Sequence, residues 1–434
     1  MTSNQRKPVG SPILSGRSFM YMESGYVPTV LRLHLKEHVD PERLQSAVDQ
    51  ALLVHPWAAY GICLENGTFY YHDGLTKSLT VSEADWSDSP VIGGDHAGGH
   101  LAGIYYKGRT ITLMFSHGLT DGSGIFSFAE EMLRAYAAYS RGEDYTPDTP
   151  PYDDVNAEPL EVVNSVYERM QLPAINTGSA GAGTKPSFLV PKRFETGTAR
   201  PCHHMIKADA ADYMRFAKAC GVRPVSVLVS TYAKAILKVM GNTQQHFRVA
   251  VPADFRKALE IPHTFRNCAV PPLMLDLSPE LVNGDIRILA SAVQKIINGM
   301  TTRSAEVTMT KAMADAFRQI PPLPYRQGAE MFSHFTGGPM FTFNASYARR
   351  LPDSDLTALL ESAYMSFPSE GDQTVLEMTA LPESFCICLS QGENTGHYAD
   401  AFCSVLSENG ISCMHEGVLQ GNMGYIELRE YERW

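Results

Sequence analysis

Between Thr110 and Tyr136 the spacing of apolar residues changes abruptly, and that change dictates the local fold. Ile111, Leu113 and Phe115 alternate, which is the period of a strand. Ile125, Phe128, Met132, Leu133 and Tyr136 recur at helical spacing. A strand must therefore end and a helix begin within Phe115-Ser116-His117-Gly118-Leu119-Thr120-Asp121-Gly122. Gly118 and Gly122 allow the backbone to bend sharply or to approach a ligand closely. Two rigid elements thus hold one short loop, a common setting for catalytic groups.

The chemistry of that loop rests on His117 and Asp121. An imidazole, with an ordinary pKa of about 6.5, can take and return a proton near neutrality. The N–H groups that open the following helix favour developing negative charge. A random His-x-x-x-Asp pair is usually structural, but here the strand, the glycines and the helix start single it out. Asp121 has two readings. It orients the ring of His117, as in a hydrolytic triad, or it points away and holds the turn through an arginine.

The remaining elements follow the same logic. Leu31, Leu33 and Leu35 predict a half-buried strand over 30–35. Asp40 followed by Pro41 predicts a helix start, with Leu44, Val48 and Leu52 as its apolar stripe and Pro56 beyond its end. Short strands are expected at 59–63 and 68–72 around Glu65-Asn66-Gly67, and a hairpin over 101–106 and 110–115. Residues 144–154 are rich in proline and acid and predict a surface loop, followed by a helix near 160–170. Residues 172–199 form a long connection whose centre, Asn176 to Thr184, is rich in glycine. The second half reuses this grammar: a strand near 202–206, a helix from Asp209 to Gly221, another from Pro224 to Gly241, and a strand at 246–251 leading to Arg256. Helices are expected at 286–296, 308–317 and 398–405, strands at 339–344, 377–378 and 385–389, and some strand character after Gly417.

A chain of 434 residues exceeds what one core usually serves, so two domains are expected: 1–175, a linker at 176–199, and 200–434. The net charge of -11 argues against a nucleic-acid partner and against charge-driven binding to anionic membranes. Residues 1–10 lack the apolar core of a signal peptide, and no run of about 18 apolar residues suggests a membrane span. The eight cysteines show no CxxC pairing, and are expected to be reduced, small hydrophobes in a cytoplasmic protein.

Three other signals carry less. Gly93-Gly94-Asp95-His96-Ala97-Gly98-Gly99-His100 lacks the spacing of a phosphate loop and a third metal ligand, so a loop into the next strand is expected. His203-His204 belongs to a strand start. Asp121-Gly122-Ser123-Gly124 is not a GxSxG nucleophile turn. No metal site is expected.

Ser116, His117, Asp121 and Gly122 together resemble the HxxxDG motif of the chloramphenicol acetyltransferase-like superfamily. That superfamily includes condensation domains of nonribosomal peptide synthesis, plant acyltransferases, polyketide-associated acyltransferases and alcohol acetyltransferases. Residues 30–56 resemble its first strand and helix, ending in His55-Pro56. The strand at 249–256 ending in Asp254-Phe255-Arg256 resembles its "DLR" turn, and Phe265-Arg266-Asn267 the "GN" region that follows. Phe341-Thr342-Phe343-Asn344-Ala345-Ser346-Tyr347 resembles a degenerate "SNLG" strand. The resemblance spans nearly the whole chain in order.

The resemblance implies an α/β fold: two similar halves, each a mixed sheet flanked by helices, with an active-site tunnel between them. It implies an acyltransferase in which His117 is the general base, moving an acyl group from an acyl-CoA such as acetyl-CoA to an alcohol. Asp121, Gly122 and Arg256 would be structural, with Asp121 paired to Arg256. Ser116, Asn344 and Ser346 would contact substrate. No bound cofactor is implied, and the protein is expected to be a monomer. Two departures bear on this: Ser116 replaces the first histidine of the HHxxxDG of condensation domains, and the DFGWG of plant enzymes is missing. The alternatives are a free-standing condensation-type enzyme, taking its donor from a carrier protein and acylating an amine or hydroxyl, and a non-catalytic binding module.

Overall fold

Apolar alternation and proline-glycine punctuation place most elements where they stand. In chain order the strands are β1 (Thr29–Leu35), β2 (Gly61–Glu65), β3 (Thr68–His72), β4 (Val81–Glu83), β5 (Val91–Ile92), β6 (Ala102–Lys107), β7 (Thr110–Phe115), β8 (Cys202–Asp209), β9 (Phe247–Val251), β10 (Leu273–Leu277), β11 (Phe343–Asn344), β12 (Leu360–Ser366), β13 (Thr374–Ala380), β14 (Ser384–Gln391), β15 (Cys413–Gln420) and β16 (Tyr425–Ile426). The helices include α1 (Pro41–Val54), α2 (Gly122–Ser140), α3 (Pro159–Arg169), α4 (Ala210–Cys220), α5 (Pro224–Met240), α6 (Arg256–Leu259), α7 (Pro279–Asn283), α8 (Ile286–Met300) and α9 (Arg303–Arg318). This computed structural model describes residues 8–21, 28–73, 78–88, 90–93, 98–174, 202–269, 271–321, 327, 343–344, 354–367, 374–391, 396–420 and 425–426. The linker expected at 176–199 and Ser346 lie outside the described residues.

The caps behave as their chemistry requires. Asp40 accepts from the backbone N–H of Glu42 and Arg43, and Asp209 from that of Asp212. Gly221 ends α4 in the left-handed conformation at φ 66°, which only glycine adopts without cost. Asn66 and Gly67 both have positive φ, the turn that closes β2 onto β3. β2 starts two residues later than expected because Pro56 opens a short 3-10 turn, Pro56–Ala59, that occupies the expected start.

Two five-stranded sheets carry the architecture: β12-β1-β7-β6-β4 and β11-β13-β14-β8-β15. Both are mixed, with β4 parallel to β6, β11 parallel to β13, and the other neighbours antiparallel. Helices α1 and α2 pack on each other, and α5 packs on α8 and on the helix His397–Glu408. β12, from late in the chain, pairs with β1 and also lies against β13 and β14.

That placement corrects one expectation. β1 is not half-buried: Val30 and Arg32 on its second face are as enclosed as Leu31, Leu33 and Leu35 on the first. β1 is an inner strand between β12 and β7, and Arg32 is covered by Trp86, whose ring centroid lies 5.5 Å from the guanidinium carbon.

Candidate active site

β7 delivers Phe115, and the chain then folds back on itself. The N–H of Leu119 donates to the Ser116 carbonyl at 2.9 Å, and Asp121 caps α2 by accepting from the Gly124 N–H at 3.1 Å. Ser116 is buried, and its Oγ accepts from the Gly118 N–H at 3.3 Å. Gly118 lies directly under the end of Met20. A Cβ there would lie 1.8 Å from Met20 Cε, and one on Gly16 would lie 2.4 Å from the Gly118 carbonyl oxygen. The short helix Arg17–Tyr21 thus sits directly on the turn.

The turn is bolted to residues 264–268 of the second half. Thr120 Oγ1 donates to the Phe265 carbonyl at 2.6 Å, and Asn267 Nδ2 to the His117 carbonyl at 3.4 Å. Arg256 Nη1 donates to Asp121 Oδ2 at 2.9 Å and Nη2 to Oδ1 at 3.0 Å, while the Cys268 N–H reaches Oδ2 at 2.8 Å. With the Gly124 N–H, the carboxylate has its lone pairs filled, and none remains for the ring of His117. Arg256 is equally saturated, its other donors going to Asp254 Oδ1 (3.1 Å) and to the carbonyls of Thr264 (2.9 Å) and Arg266 (2.8 Å). Asp121 is 2% and Arg256 4% exposed, so this pair is buried and can persist only because it is complete.

His117 bonds elsewhere. Its Nδ1 lies 3.0 Å from the Thr120 carbonyl oxygen. A carbonyl only accepts, so Nδ1 carries the proton and the neutral ring keeps its lone pair on Nε2. Phe19 and Phe367 stand edge-on to the imidazole, with centroids at 4.0 and 4.9 Å. Burial lowers the pKa of His117 to about 4, against the opposing pull of Asp121 and of the Thr120 carbonyl. The ring is therefore neutral near pH 7, with one fixed tautomer.

No protein-family model matches the chain, and no curated protein matches it. Solved structures do. TRI101 of F. sporotrichioides, complexed with coenzyme A and T-2, superposes with a TM-score of 0.59 over 95% of this chain and 100% of that one, at 12% identity. Polyketide synthase associated protein 5 from Mycobacterium tuberculosis gives 0.58 over 92% and 98%, at 15% identity. The condensation domain from the Monacolin K polyketide synthase MokA gives 0.58 over 92% and 96%, at 11% identity. The chain has the chloramphenicol acetyltransferase-like fold.

Within that fold the sequence-predicted residues divide. His117, Asp121, Ser116 and Gly122 lie on one turn, and Arg256, 135 residues from Asp121, reaches it directly. Asn344 lies in β11, opposite Glu377 of β13. Local periodicity did not single out Phe19 and Phe367, which wall the histidine, or a second buried ion pair beneath the turn. There Arg266 Nη1 donates to Glu158 Oε2 at 2.8 Å, with both side chains fully buried. Arg266 also ties down the carbonyls of Ser11, Pro12 and Val155, and Glu158 accepts from the Ser15 N–H at 2.9 Å. The only signal for it was the adjacency of Arg266 to Phe265 and Asn267.

His100, His203 and His204 have structural partners. His100 Nδ1 lies 2.7 Å from the Ala59 carbonyl, while residues 94–97, including His96, lie outside the described residues. His203 bonds Ser390 Oγ at 2.8 Å, and His204 lies 3.2 Å from His415. Among the described residues no helix is long and apolar enough to cross a membrane, and no His, Cys, Asp or Glu cluster forms a metal-binding array.

Proposed function

We propose that the protein is an acyltransferase that moves an acyl group from an acyl-CoA thioester to an alcohol. The observation that carries this is the Nδ1–Thr120 hydrogen bond, which leaves a half-buried, neutral His117 with its lone pair on Nε2. In this reading Nε2 takes the proton from the acceptor hydroxyl as its oxygen attacks the thioester carbonyl. When the tetrahedral intermediate collapses, the C–S bond breaks and the proton passes from Nε2 to the departing thiolate. Asp121 and Arg256 hold the loop and exchange no proton with substrate, and Gly122 opens α2. Ser116, Asn344 and Ser346 are proposed to contact substrate. The halves 1–175 and 200–434, joined by 176–199, enclose a tunnel to His117. The donor is free acyl-CoA, acetyl-CoA being the simplest; the fold neighbour TRI101 is complexed with coenzyme A. The protein acts as a cytoplasmic monomer.

The test is thiol release from acetyl-CoA with a panel of alcohols and amines, comparing the protein with His117→Ala. Equal turnover in both removes His117 from the chemistry. The fold shared with a condensation domain supports a second reading, with a carrier-bound donor. Transfer only from carrier-bound acyl groups decides for it. Tight ligand binding without transfer from any donor decides for a binding module.

A further inference from the structure

Between Phe115 and Asp121 every residue except His117 is buried. The turn therefore offers its surroundings one side chain, the imidazole that keeps a lone pair on Nε2. Two phenylalanines from distant parts of the chain stand beside it. Phe19 belongs to the short helix Arg17–Tyr21, and Phe367 follows β12. Their centroids lie 4.0 and 4.9 Å from that of the imidazole and 6.3 Å from each other. Both are half-buried, as His117 is. A single half-buried phenylalanine is ordinary on a protein surface. Here two of them meet at the accessible part of the candidate base, so the apolar surface they leave open adjoins it.

Backbone bonds, rather than these rings, hold the two segments. Arg266 binds the carbonyls of Ser11 and Pro12, the Ile13 N–H donates to the Phe69 carbonyl at 2.9 Å, and Glu158 accepts from the N–H groups of Leu14 and Ser15. Arg17 then donates to the carbonyls of Ile320 and Pro321 at 3.1 and 2.6 Å. Met20, 1% exposed, makes the contact with Gly118, and Phe19 is left to the imidazole. Phe367 is carried by the pairing of β12 with β1, which reaches Ser366 opposite Val30. The two rings are thus a fixed frame at His117, positioned from well-anchored chain on both sides.

A phenyl ring offers no conventional hydrogen-bond donor or acceptor. A polar part of a ligand pressed against it loses its bonds to water without replacement, whereas an alkyl or aryl group gains by leaving water. We propose that Phe19 and Phe367 set the chemical class of the acceptor: an alcohol bearing an alkyl or aryl group next to its hydroxyl, in preference to a polyol or water. This rests on the acyl-transfer reading above. In that reaction the C–S bond of the thioester breaks, a C–O bond forms to the alcohol, and the hydroxyl proton passes through Nε2 to the thiolate. Water in the same place would yield the free acid and thiol; an apolar acceptor against the rings displaces it. The frame is assigned to the acceptor because the pantetheine arm of coenzyme A is rich in amides, which the rings cannot satisfy.

The experiment measures thiol release from acetyl-CoA with straight-chain alcohols of increasing length, benzyl alcohol, glycerol and no alcohol, and calorimetric binding of the same alcohols without donor. The protein is compared with Phe19→Ala, Phe19→Leu and Phe367→Ala. At least one apolar alcohol should exceed glycerol about tenfold or more in kcat/KM. Phe19→Ala and Phe367→Ala should each erase most of that ratio, chiefly through the KM of the alcohol, and should raise thiol release without alcohol severalfold. Phe19→Leu should restore much of the ratio, and the KM of acetyl-CoA should stay unchanged. A purely structural role would lower the melting temperature and leave the ratio intact. If Phe19→Ala does not fold, Phe19→Leu, Phe367→Ala and the comparison in the unaltered protein still decide. Equal use of glycerol and every apolar alcohol overturns the proposal, as does an unchanged ratio in both alanine variants. So does an effect confined to the KM of acetyl-CoA. Binding selective for apolar alcohols and weakened in Phe19→Ala, but without thiol release, supports the frame and removes acyl transfer; release to all alcohols alike does the reverse.

Discussion

Arg256 and Arg32 are both buried arginines, yet they stand in opposite states. Arg256 fills its donors with two carboxylates and backbone carbonyls. Arg32 has a loose carboxylate at 4.0 Å and a tryptophan ring. The first region spends its polar groups on fixing a loop; the second leaves them open. Saturation, more than burial, is what makes a buried arginine a brace.

The largest test of this contrast lies on the braced side. If Asp121 and Arg256 only position the turn, then His117→Ala should lower the rate of thiol release by about 10²–10⁴-fold without lowering the melting temperature. Next comes the brace itself. Asp121→Ala leaves the Arg256 charge buried and should cost about 3–5 kcal/mol in chemical denaturation. Arg32→Met should show no loss. Equal losses from both substitutions would erase the distinction between the two arginines.

Acid offers a third way to separate the regions. Burial lowers the pKa of His117 and His55 to about 4 and of His203 to about 3. Each is depressed below the unfolded value of about 6.5, so below that pH the unfolded chain binds more protons than the folded one. Stability should be complete above pH ~6.5 and fall as pH drops toward 4. In the range where the protein stays folded, kcat/KM should hold steady and decline only as pH approaches about 4, when His117 itself is protonated. Denaturation midpoints and rate profiles over the same pH series check both; a rate that falls with a midpoint near 6.5 would show an exposed base. The smallest effect concerns the close approach above the turn. A Cβ on Gly16 meets backbone, whereas one on Gly118 meets the movable end of Met20. Gly16→Ala should therefore destabilise by about 1–3 kcal/mol and Gly118→Ala by less.

What was legible in the sequence was local. Asp40, Asp209 and Gly221 announce helix ends through their own chemistry, and Asn66-Gly67 announces a hairpin. The strand-to-helix turn at His117 follows from a change of period. Arg256 was reachable only because a motif resemblance linked two distant stretches. β12 was missed because Ser362, Tyr364 and Ser366 give one of its faces no apolar signature, and its burial comes from the opposing sheet. The second face of β1 was misread for the same reason. Phe19, Phe367, Glu158 and Arg32 acquire meaning only from partners far along the chain, which no window of neighbouring residues contains.

The pairing of β12 with β1 has a consequence for how the protein is made. Ser366 donates to the carbonyl of Val30, 336 residues earlier. At roughly 5–20 residues per second of synthesis, the first sheet waits tens of seconds for its outer strand, with the β1 edge open throughout and the turn at His117 lacking Arg256 for the first part of that time. Until then the nascent chain presents one open edge of β1 to any neighbour, and until Arg256 is made the loop that carries the histidine has no brace. The candidate catalytic centre is thus assembled in stages, and a chain arrested before Arg256 would hold His117 on a turn without its brace.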